Sequence, residues 1–373
     1  MLKLVSGQLK VGAALPFGVR DEHGKLLLAR GQLIDTEQQL AVLLARGLYA
    51  DQEEVKAARE GRSAAAADNG RRRTLFDLWE QTAWHLDRLL KSIDAEPGFD
   101  TRCDDFVTLY QDLVQRDVDI AIFLSVRQDP RRLPLYGLTH ALHTALVCNL
   151  MGQRVGWDAA QVRSLVKAAL TMNLGITELQ GRVAATGRIT ETQRELMRQH
   201  PQQAFDKLSA AGVNDVAWLE AVLQHHEHSG GGGYPANCAA PGEWATALRM
   251  ADVFMAKISA RSDRPALTVQ DAARQMFAAA QGNPVAAAII KEYGIYPPGN
   301  AVMLASGELA VVIRRGPTAV TPLAAAITDK SGMPTVGTVR RDTSLPAFAI
   351  KGAATDLGLV QRVPPERLYG LAE

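Results

Sequence analysis

The sequence predicts a mainly α-helical protein with a small α+β unit at its N-terminus and a small β-rich unit at its C-terminus. From Thr74 to about Tyr293, apolar residues recur at intervals of three and four, which is the spacing of a helix face. On either side of this region, short apolar runs alternate with turn-forming residues, as is typical of strands. A chain of 373 residues is long enough for two or three such domains.

Changes in composition divide the chain into four predicted segments. Residues 1–56 form the α+β unit, and residues 57–73 form a linker of low complexity that is rich in Ala, Gly and charged residues. Residues 74–293 form the helical domain, and residues 294–373 form the β-rich unit.

The N-terminal unit is predicted to hold a hairpin and a helix. Residues 21–24 are turn-forming and lie between apolar runs, which predicts a hairpin. Residues 11–19 are predicted to form a strand, since Pro16 and the charged residues that follow argue against a signal peptide. The leucine spacing predicts a helix over Thr36–Arg46 that stops at Gly47.

The other predicted elements follow from the same periodicity rules. Amphipathic or buried helices are expected near residues 137–155, 159–173, 190–211, 215–228, 243–260 and 268–280. Strands are expected at Val302–Leu304, Leu309–Ile313, Leu323–Ile327 and Ala347–Ile350.

Net charge, cysteine content and the length of apolar runs narrow the kinds of molecule that the protein is expected to bind. The formal net charge is +1, from 41 basic and 40 acidic residues, so no bulk field favours nucleic acid or an anionic membrane. The three cysteines form no CxxC pair and indicate reduced thiols. No apolar run reaches the roughly 18 residues of a membrane span. The sequence therefore predicts a cytoplasmic protein that binds neither nucleic acid nor membrane.

Histidines carry the strongest chemical signal. Six of the eight lie between positions 140 and 228, and neutral imidazole is the commonest metal ligand. Adjacent residues on a straight helix point about 100° apart, so His225 and His226 can share a metal only near a helix end. Residues 229–233 contain four glycines and must end that helix. On these residues alone, a metal site and a surface histidine cluster remain equally good interpretations.

The glycine run also has two interpretations. It is a flexible turn, or it brings backbone N–H groups close to a phosphate. Tyr234 then offers an aromatic face and a hydroxyl, and Pro235 stiffens the end of the loop.

The segment from His225 to Pro235 resembles the HD-GYP signature HHExxDGxGYP, which belongs to metal-dependent cyclic dinucleotide phosphodiesterases. His140 resembles the first metal histidine of that family, and the stretch from His200-Pro201 to Leu208 resembles its HPxxGxxxL run. Further likenesses are Ala251-Asp252-Val253, whose Asp binds metal in the family, and the Arg261, Arg264, Pro265 and Leu267 run. The resemblance covers about residues 130–293 and implies an HD-type helical bundle core.

The sequence departs from the family pattern where the HD pair should stand. Met172 replaces the His, Asn173 replaces the Asp, and Ile176 replaces the Lys that follows. Gly230 also replaces the Asp of the signature. An amide bridges two cations poorly, and a thioether is a poor ligand for Fe, Mn or Mg. These replacements predict a dismantled two-metal centre, and the chain is identified as a degenerate member with no intact catalytic set.

The resemblance still implies a metal site and a ligand site. One divalent ion (Fe, Mn or another metal) is predicted to bind His140, His200, His225, His226 and Asp252. A cyclic di-GMP molecule or a related nucleotide is predicted to contact Gly233, Tyr234, Pro235, Arg261 and Arg264.

Three functions follow as hypotheses. The first is a degenerate protein of cyclic di-GMP signalling that binds a nucleotide or a signalling protein, with impaired or no hydrolysis. The alternative is an active metal-dependent cyclic di-GMP phosphodiesterase with an unusual site. The third is a structural interaction module without nucleotide, whose terminal domains are the working surfaces. A homodimer is a separate expectation for the partners of the chain. Whether the chain is an enzyme stays open at this point.

Overall fold

The computed structural model describes residues 1–3, 9, 11, 15–29, 32, 34, 36–45, 48–52, 54–55, 74–280, 282–354 and 357–371. The predicted linker (57–73) and the predicted helix stop at Gly47 lie outside these residues.

The N-terminal part contains a small antiparallel sheet and a helix. The strands have the order β1-β4-β2-β3, and helix α1 spans Glu37–Ala45. The strands are β1 (Leu2–Lys3), β2 (Val19–Arg20), β3 (Leu26–Leu28) and β4 (Tyr49–Ala50).

The predicted hairpin is present, and most of the strand before it is not. Strands β2 and β3 pair in antiparallel fashion, and the Asp21 carboxylate accepts the backbone N–H groups of His23 and Lys25 in the turn. The strand predicted over residues 11–19 was wrong, since among its described residues only Val19 is in a strand. Pro16 has no N–H to donate to a ladder, and this segment bends so that Leu15 and Phe17 are buried.

Helices form the middle of the chain. They are α2 (Leu75–Lys91), α3 (Phe99–Arg116), α4 (Val118–Val126), α5 (Tyr136–Val155), α6 (Ala159–Thr171), α7 (Thr177–Thr186), α8 (Glu191–Ala210), α9 (Val216–Gln224), α10 (Glu243–Ile258), α11 (Val269–Ala280) and α12 (Pro284–Tyr293), with a 3₁₀ turn at Pro130–Leu135. The six helices predicted between residues 137 and 280 are all present, and α7 and α12 were not predicted.

Local sequence signals start several of these helices. Thr74 accepts the backbone N–H of Asp77, whose carboxylate accepts the N–H of Thr74 in return, so two of the N–H groups left free at the helix start are satisfied. The same reciprocal arrangement begins α6 and α8, through Asp158 with Gln161 and Thr190 with Gln193.

Helix α5 is the centre of the bundle. Of its 20 residues, 15 are buried, and it packs against α6, α7, α10 and α12. A helix that is buried around most of its circumference cannot rotate or slide without disturbing several neighbours. Its close approach to α7 requires Gly137, because a Cβ atom there would lie 2.3 Å from the Thr177 carbonyl oxygen. The fold therefore holds His140, one turn further on, in a fixed position.

The C-terminal part is a five-stranded antiparallel sheet with the order β8-β7-β6-β5-β9. Its strands are β5 (Ala301–Leu304), β6 (Leu309–Arg314), β7 (Leu323–Thr328), β8 (Pro334–Asp342) and β9 (Ile350–Ala353), and two short helices, α13 (Gly358–Arg362) and α14 (Pro365–Leu368), follow. Strand β8 was not predicted. The strand predicted at Ala347–Ile350 was wrong over most of its length, because Pro346–Phe348 form a 3₁₀ turn and the strand begins at Ile350.

An aromatic cluster joins this sheet to the helices. The rings of Phe76 and Phe123 meet the ring of Tyr369 edge-to-face, both with centroids 5.3 Å away. The Tyr369 hydroxyl donates to the Ile313 carbonyl oxygen on β6 at 2.8 Å. Two ion pairs also join the sheet to the start of α4. Arg314 pairs with Asp117, and Arg315 pairs with Asp119.

None of the helices in the described part of the chain is both long and apolar enough to cross a membrane.

We expect Phe76→Ala to lower the free energy of unfolding by about 3–5 kcal/mol, because the fully buried ring leaves a cavity between the helices and the sheet. Urea unfolding followed by circular dichroism measures this change. Phe76→Leu is the matched control and should cost clearly less. A loss below about 1 kcal/mol for Phe76→Ala contradicts the role assigned to this ring.

Candidate metal centre

The adjacent histidines lie where α9 ends. Asp215 begins this helix by accepting the N–H of Trp218, and the helix ends at Gln224, four residues before the predicted end at residue 228. His225 is the C-terminal cap residue, so the backbone leaves the helical path between the two histidines. Their ring centroids are 4.2 Å apart. The helix end that two neighbouring ligands require is therefore present.

A third histidine joins this pair. His200 lies in α8, and its ring centroid is 5.1 Å from those of both His225 and His226. One potential ligand nitrogen from each of the three imidazoles lies within 4.8 Å of the others. The sequence separation of 25 residues is closed by packing of α8 against α9.

The hydrogen bonds of these rings fit a cation. Nδ1 of His200 donates to the Met197 carbonyl oxygen at 2.6 Å, and Nδ1 of His225 donates to the Val222 carbonyl oxygen at 2.7 Å. In neutral imidazole, a proton on Nδ1 leaves a lone pair on Nε2. The two Nε2 atoms lie 3.1 Å apart, so two lone pairs face each other. A metal ion accepts both lone pairs, and backbone carbonyls orient histidine ligands in this way in metal sites.

The surroundings keep all three imidazoles neutral. Burial and the neighbouring His225 lower the pKa of His200 to about 3. Burial also lowers the pKa values of His225 and His226, although the charge of Asp252 opposes the change. At neutral pH, three unprotonated rings therefore converge in a buried site, and no proton competes for their lone pairs.

His140 and Asp252 complete the predicted ligand set. Nε2 of His140 lies 2.7 Å from Oδ1 of Asp252, which α10 supplies. Burial alone raises the pKa of Asp252, but the hydrogen bond to His140 holds that pKa well below its usual range. Asp252 acts electrostatically on His225 and His226. His140 and Asp252 therefore pair with each other, and neither belongs to the group of three converging histidines.

Glu227 ties the ligand pair to the loop that follows. Its side chain is buried, and its two carboxylate oxygens accept the N–H groups of Ala236 at 2.7 Å and Cys238 at 2.9 Å. The loop returns so closely that a Cβ atom on Gly233 would lie 2.4 Å from the Glu227 Cα. Gly233 is therefore required for close packing. This return brings the Tyr234 ring into a stack on His226, with centroids 4.6 Å apart.

Most of the glycine N–H groups are engaged within the loop itself. Gly230 donates to the Ala239 carbonyl oxygen, Gly231 donates to the His228 carbonyl oxygen, and Gly232 donates to Asn237 Oδ1. These three N–H groups do not point outwards to a phosphate. The interpretation as a compact turn is therefore better supported than the phosphate cradle.

The replaced positions are deeply buried. Met172 and Asn173 are 0% and 3% exposed, and Ile176 is 3% exposed. They follow α6, which runs alongside α9 because Ser164 contacts Asp215 at 2.6 Å and Thr171 contacts Trp218 at 2.7 Å. These residues therefore follow the end of α6 that is nearer to His225. No hydrogen-bond partner for Nδ2 of Asn173 is found among the described residues.

The predicted ligand-binding residues have separate contacts. The guanidinium of Arg261 is 5.9 Å from the Tyr136 ring centroid, and Tyr136 stacks on His140. Arg264 donates to the Ala256 carbonyl oxygen. Tyr234 stacks on His226.

Two further histidines, His228 and His143, lie near the predicted ligands in the sequence. Nε2 of His228 accepts a hydrogen bond from Arg249 at 2.8 Å, which engages that nitrogen. His143 is only partly exposed. Burial, Arg132 and His140 lower its pKa to about 3. Neither belongs to the group of three converging histidines.

Arg198 and Arg249 were missed by the sequence analysis. Burial and Asp252 raise the pKa of Tyr234, and the charges of both arginines oppose that rise. The only available sequence signal was helical spacing, since Arg249 lies one turn before Asp252.

Comparison with known proteins supports the interpretation of this site. A family model described as the HD domain matches residues 128–283, a range that contains all five predicted metal ligands. The chain is 29% identical over 191 residues to a cyclic di-GMP phosphodiesterase of Pseudomonas aeruginosa, covering 48% of this chain and 46% of that protein. It is 31% identical over 138 residues to the cyclic di-GMP phosphodiesterase response regulator RpfG of Xanthomonas campestris, covering 35% and 36%.

Residues 128–283 match the HD domain, and the two relatives support membership of the HD-GYP family. The chain spans less than half the length of both of these curated relatives. An HDG"Y"P protein from Bdellovibrio bacteriovorus has the same fold, with a TM-score of 0.50, 14% identity, and coverage of 77% of this chain and 97% of that one. The mainly α architecture with an HD-type core and small terminal sheets is thereby confirmed.

Protein purified without chelator should contain one divalent ion per chain, because three neutral imidazoles can hold one metal with open positions. His225→Ala should abolish this stoichiometric metal. His228→Ala is the matched control and should retain it, because its Nε2 is bound to Arg249. Elemental analysis by mass spectrometry measures both. A wild-type protein that stays metal-free after incubation with Fe²⁺ or Mn²⁺ contradicts the site.

In metal-free protein, the free energy of unfolding should fall as the pH is lowered from about 6.5 to about 4. The unfolded chain takes up a proton on His143 near the ordinary pKa of 6.5, whereas the folded pKa is about 3, so acid favours unfolding. His143→Gln should make this dependence shallower by up to about 1.4 kcal/mol per pH unit. Urea unfolding in chelator at several pH values tests this, and parallel curves for the two proteins would exclude it.

Proposed function

We propose that this HD-GYP protein binds a cyclic dinucleotide of the cyclic di-GMP type at a one-metal centre and hydrolyses it poorly or not at all. The observation that carries the proposal is the composition of the buried site. Three neutral imidazoles converge, His140 pairs with Asp252, and the buried positions that follow α6 are occupied by Met172 and Asn173.

Charge favours one metal over two. Two divalent ions about 4 Å apart repel each other by on the order of 15 kcal/mol even at an effective dielectric constant of 20. Bridging carboxylates offset such repulsion. Asp252 is the carboxylate paired with His140 here, and Glu227 is engaged by two backbone N–H groups of the loop. Asn173 is neutral, so it cannot supply the second negative charge.

A bound divalent ion would supply Lewis-acid polarisation of a phosphate oxygen. The residues of the chain then bind and orient the ligand. Buried His200 and His225 exclude water from one side, and Tyr234 provides an aromatic wall beside His226. Binding needs only these features, whereas hydrolysis also needs an activated water and stabilisation of the leaving oxygen.

Both matched relatives carry the name cyclic di-GMP phosphodiesterase, which supports cyclic di-GMP as the first ligand to test. An active enzyme with a single metal is the alternative. It is favoured by the open coordination positions that three histidine ligands leave on a metal.

Turnover and binding distinguish the two. We expect isothermal titration calorimetry to detect cyclic di-GMP binding by the metal-loaded wild type. We expect chromatography to show hydrolysis at least about 100-fold slower than in the revertant Met172→His/Asn173→Asp, since electrostatic stabilisation of the transition state is worth this much.

The revertant must first bind a second metal and unfold cooperatively, because both positions are buried. Equal turnover by the wild type and a two-metal revertant would contradict the loss of activity. Absence of binding by the metal-loaded wild type would contradict the proposal as a whole and favour an interaction module without nucleotide.

A further inference from the structure

The carbonyl oxygens that orient His200 and His225 occupy the same place relative to each histidine. Nδ1 of His200 lies 2.6 Å from the Met197 carbonyl oxygen, and Nδ1 of His225 lies 2.7 Å from that of Val222. A carbonyl oxygen only accepts hydrogen bonds, so each Nδ1 must carry the ring proton. Each acceptor lies three residues before its histidine. In a continuous α-helix, that carbonyl is already in use, because it accepts the N–H of the residue that follows the histidine.

In α8, this competing N–H is missing because the residue that follows His200 is a proline. Pro201 is buried inside the helix, which continues to Ala210. Its ring nitrogen carries no hydrogen, so the regular backbone bond from position 201 to the Met197 carbonyl oxygen cannot form. The imidazole of His200 supplies the missing donor. The proline that weakens the helical ladder therefore makes an acceptor available to the histidine beside it.

Helix α9 makes the equivalent carbonyl available by a different route. The helix ends at Gln224, and His225 is its C-terminal cap residue. The N–H of His226 lies beyond the ladder, and it forms no backbone hydrogen bond with the Val222 carbonyl oxygen within the described ranges. Two helices thus free the same carbonyl, one through a proline and the other through its end. This agreement indicates that the site requires a free carbonyl at both histidines.

His140 provides a contrast within the same protein. Helix α5 continues through Ala141, whose N–H takes up the Gly137 carbonyl oxygen in the regular ladder. Among the described residues, Nδ1 of His140 has no hydrogen-bond partner. Its Nε2 instead donates to the Asp252 carboxylate at 2.7 Å. Where the carbonyl is occupied, the histidine therefore donates through its other nitrogen.

We propose that Pro201 is a positioning residue for metal binding. Because it lacks an N–H, it reserves the Met197 carbonyl oxygen for Nδ1 of His200 and so keeps Nε2 of that ring free to bind a metal. Pro201 acts only through His200 and contacts neither metal nor nucleotide in this role. The inference rests on the metal site of the proposed function and deepens it, because it names a residue that sets the protonation of one ligand.

The test compares two variants at position 201 that differ in a single group. Pro201→Ala restores the backbone N–H. Lactic acid, introduced at the same position by nonsense suppression, has the same methyl side chain but an ester oxygen in place of the N–H. We expect Pro201→Ala to bind Zn²⁺ about 10- to 100-fold more weakly than the wild type, the loss typical of disturbing the hydrogen bond of a metal-binding histidine. The lactic acid variant should bind Zn²⁺ as tightly as the wild type in a chelator competition titration.

The ¹⁵N chemical shifts of the imidazoles in metal-free protein provide a second measurement. In the wild type, His200 and His225 should both be protonated on Nδ1. Pro201→Ala should move part of the His200 proton to Nε2 and leave His225 unchanged, because the Val222 carbonyl is not affected. The lactic acid variant should keep the wild-type pattern.

Pro284→Ala is the matched control. Pro284 lies in the first turn of α12, where a backbone N–H has no partner within the helix. This variant should keep the wild-type affinity for Zn²⁺ and the wild-type protonation of both histidines.

Three results would overturn the role of Pro201. They are wild-type Zn²⁺ affinity in Pro201→Ala, a loss of affinity without a change in the protonation of His200, and an equal loss in the lactic acid variant, which would implicate the proline ring. If Pro201→Ala does not unfold cooperatively, the lactic acid variant decides, because it must match the wild type in both measurements. If the wild type binds no Zn²⁺, the metal site of the proposed function fails, and the protonation of His200 in metal-free protein decides the role of Pro201 separately.

Discussion

Two hydrogen bonds to backbone carbonyls determine the chemistry of the buried site. They fix the protons of His200 and His225 on Nδ1, and so they leave two lone pairs facing each other across 3.1 Å. Each carbonyl lies three residues before its histidine, at Met197 and Val222, so the geometry of two helices sets the direction of both rings. The packing of α8 against α9, the end of α9 at Gln224 and the burial of the rings all serve this one arrangement.

The net charge of the site depends on the side chains near the rings of His200 and His225. An aspartate in place of Asn173 would add a second buried carboxylate to Asp252, and a second cation would then be tolerable. With an amide there, the site has one negative side chain paired with His140 and an excess of donors suited to a single ion. The buried amide nitrogen of Asn173 has no hydrogen-bond partner among the described residues. Burial of such a group without a partner costs free energy of folding.

The sequence was sufficient for the helical class, because helix periodicity is a local signal. The resemblance to the HD-GYP signature named His200, His225 and His226 together, and the structure brings these three rings close to one another. Helix α7 was missed because it is short and follows a turn at Gly175. Strand β8 was missed because its exposed residues break the apolar alternation. The ion pair of His140 with Asp252 joins residues 112 positions apart, and the carbonyl contacts of the rings depend on three-dimensional packing. Neither can be obtained from the sequence without the fold.

The buried carboxylate of Glu227 connects two parts of the site that are separate motifs in the sequence. They are the histidine pair and the segment that contains Tyr234. Glu227 follows the ligand pair directly in the chain, and it holds the backbone two and four residues beyond Tyr234. The Tyr234 ring and the proposed metal ligand His226 are therefore tied to each other through the carboxylate of Glu227. A ligand that pushes on the Tyr234 ring would therefore also shift the imidazole of His226. Ligand binding at Tyr234 and metal coordination by His226 would then depend on each other.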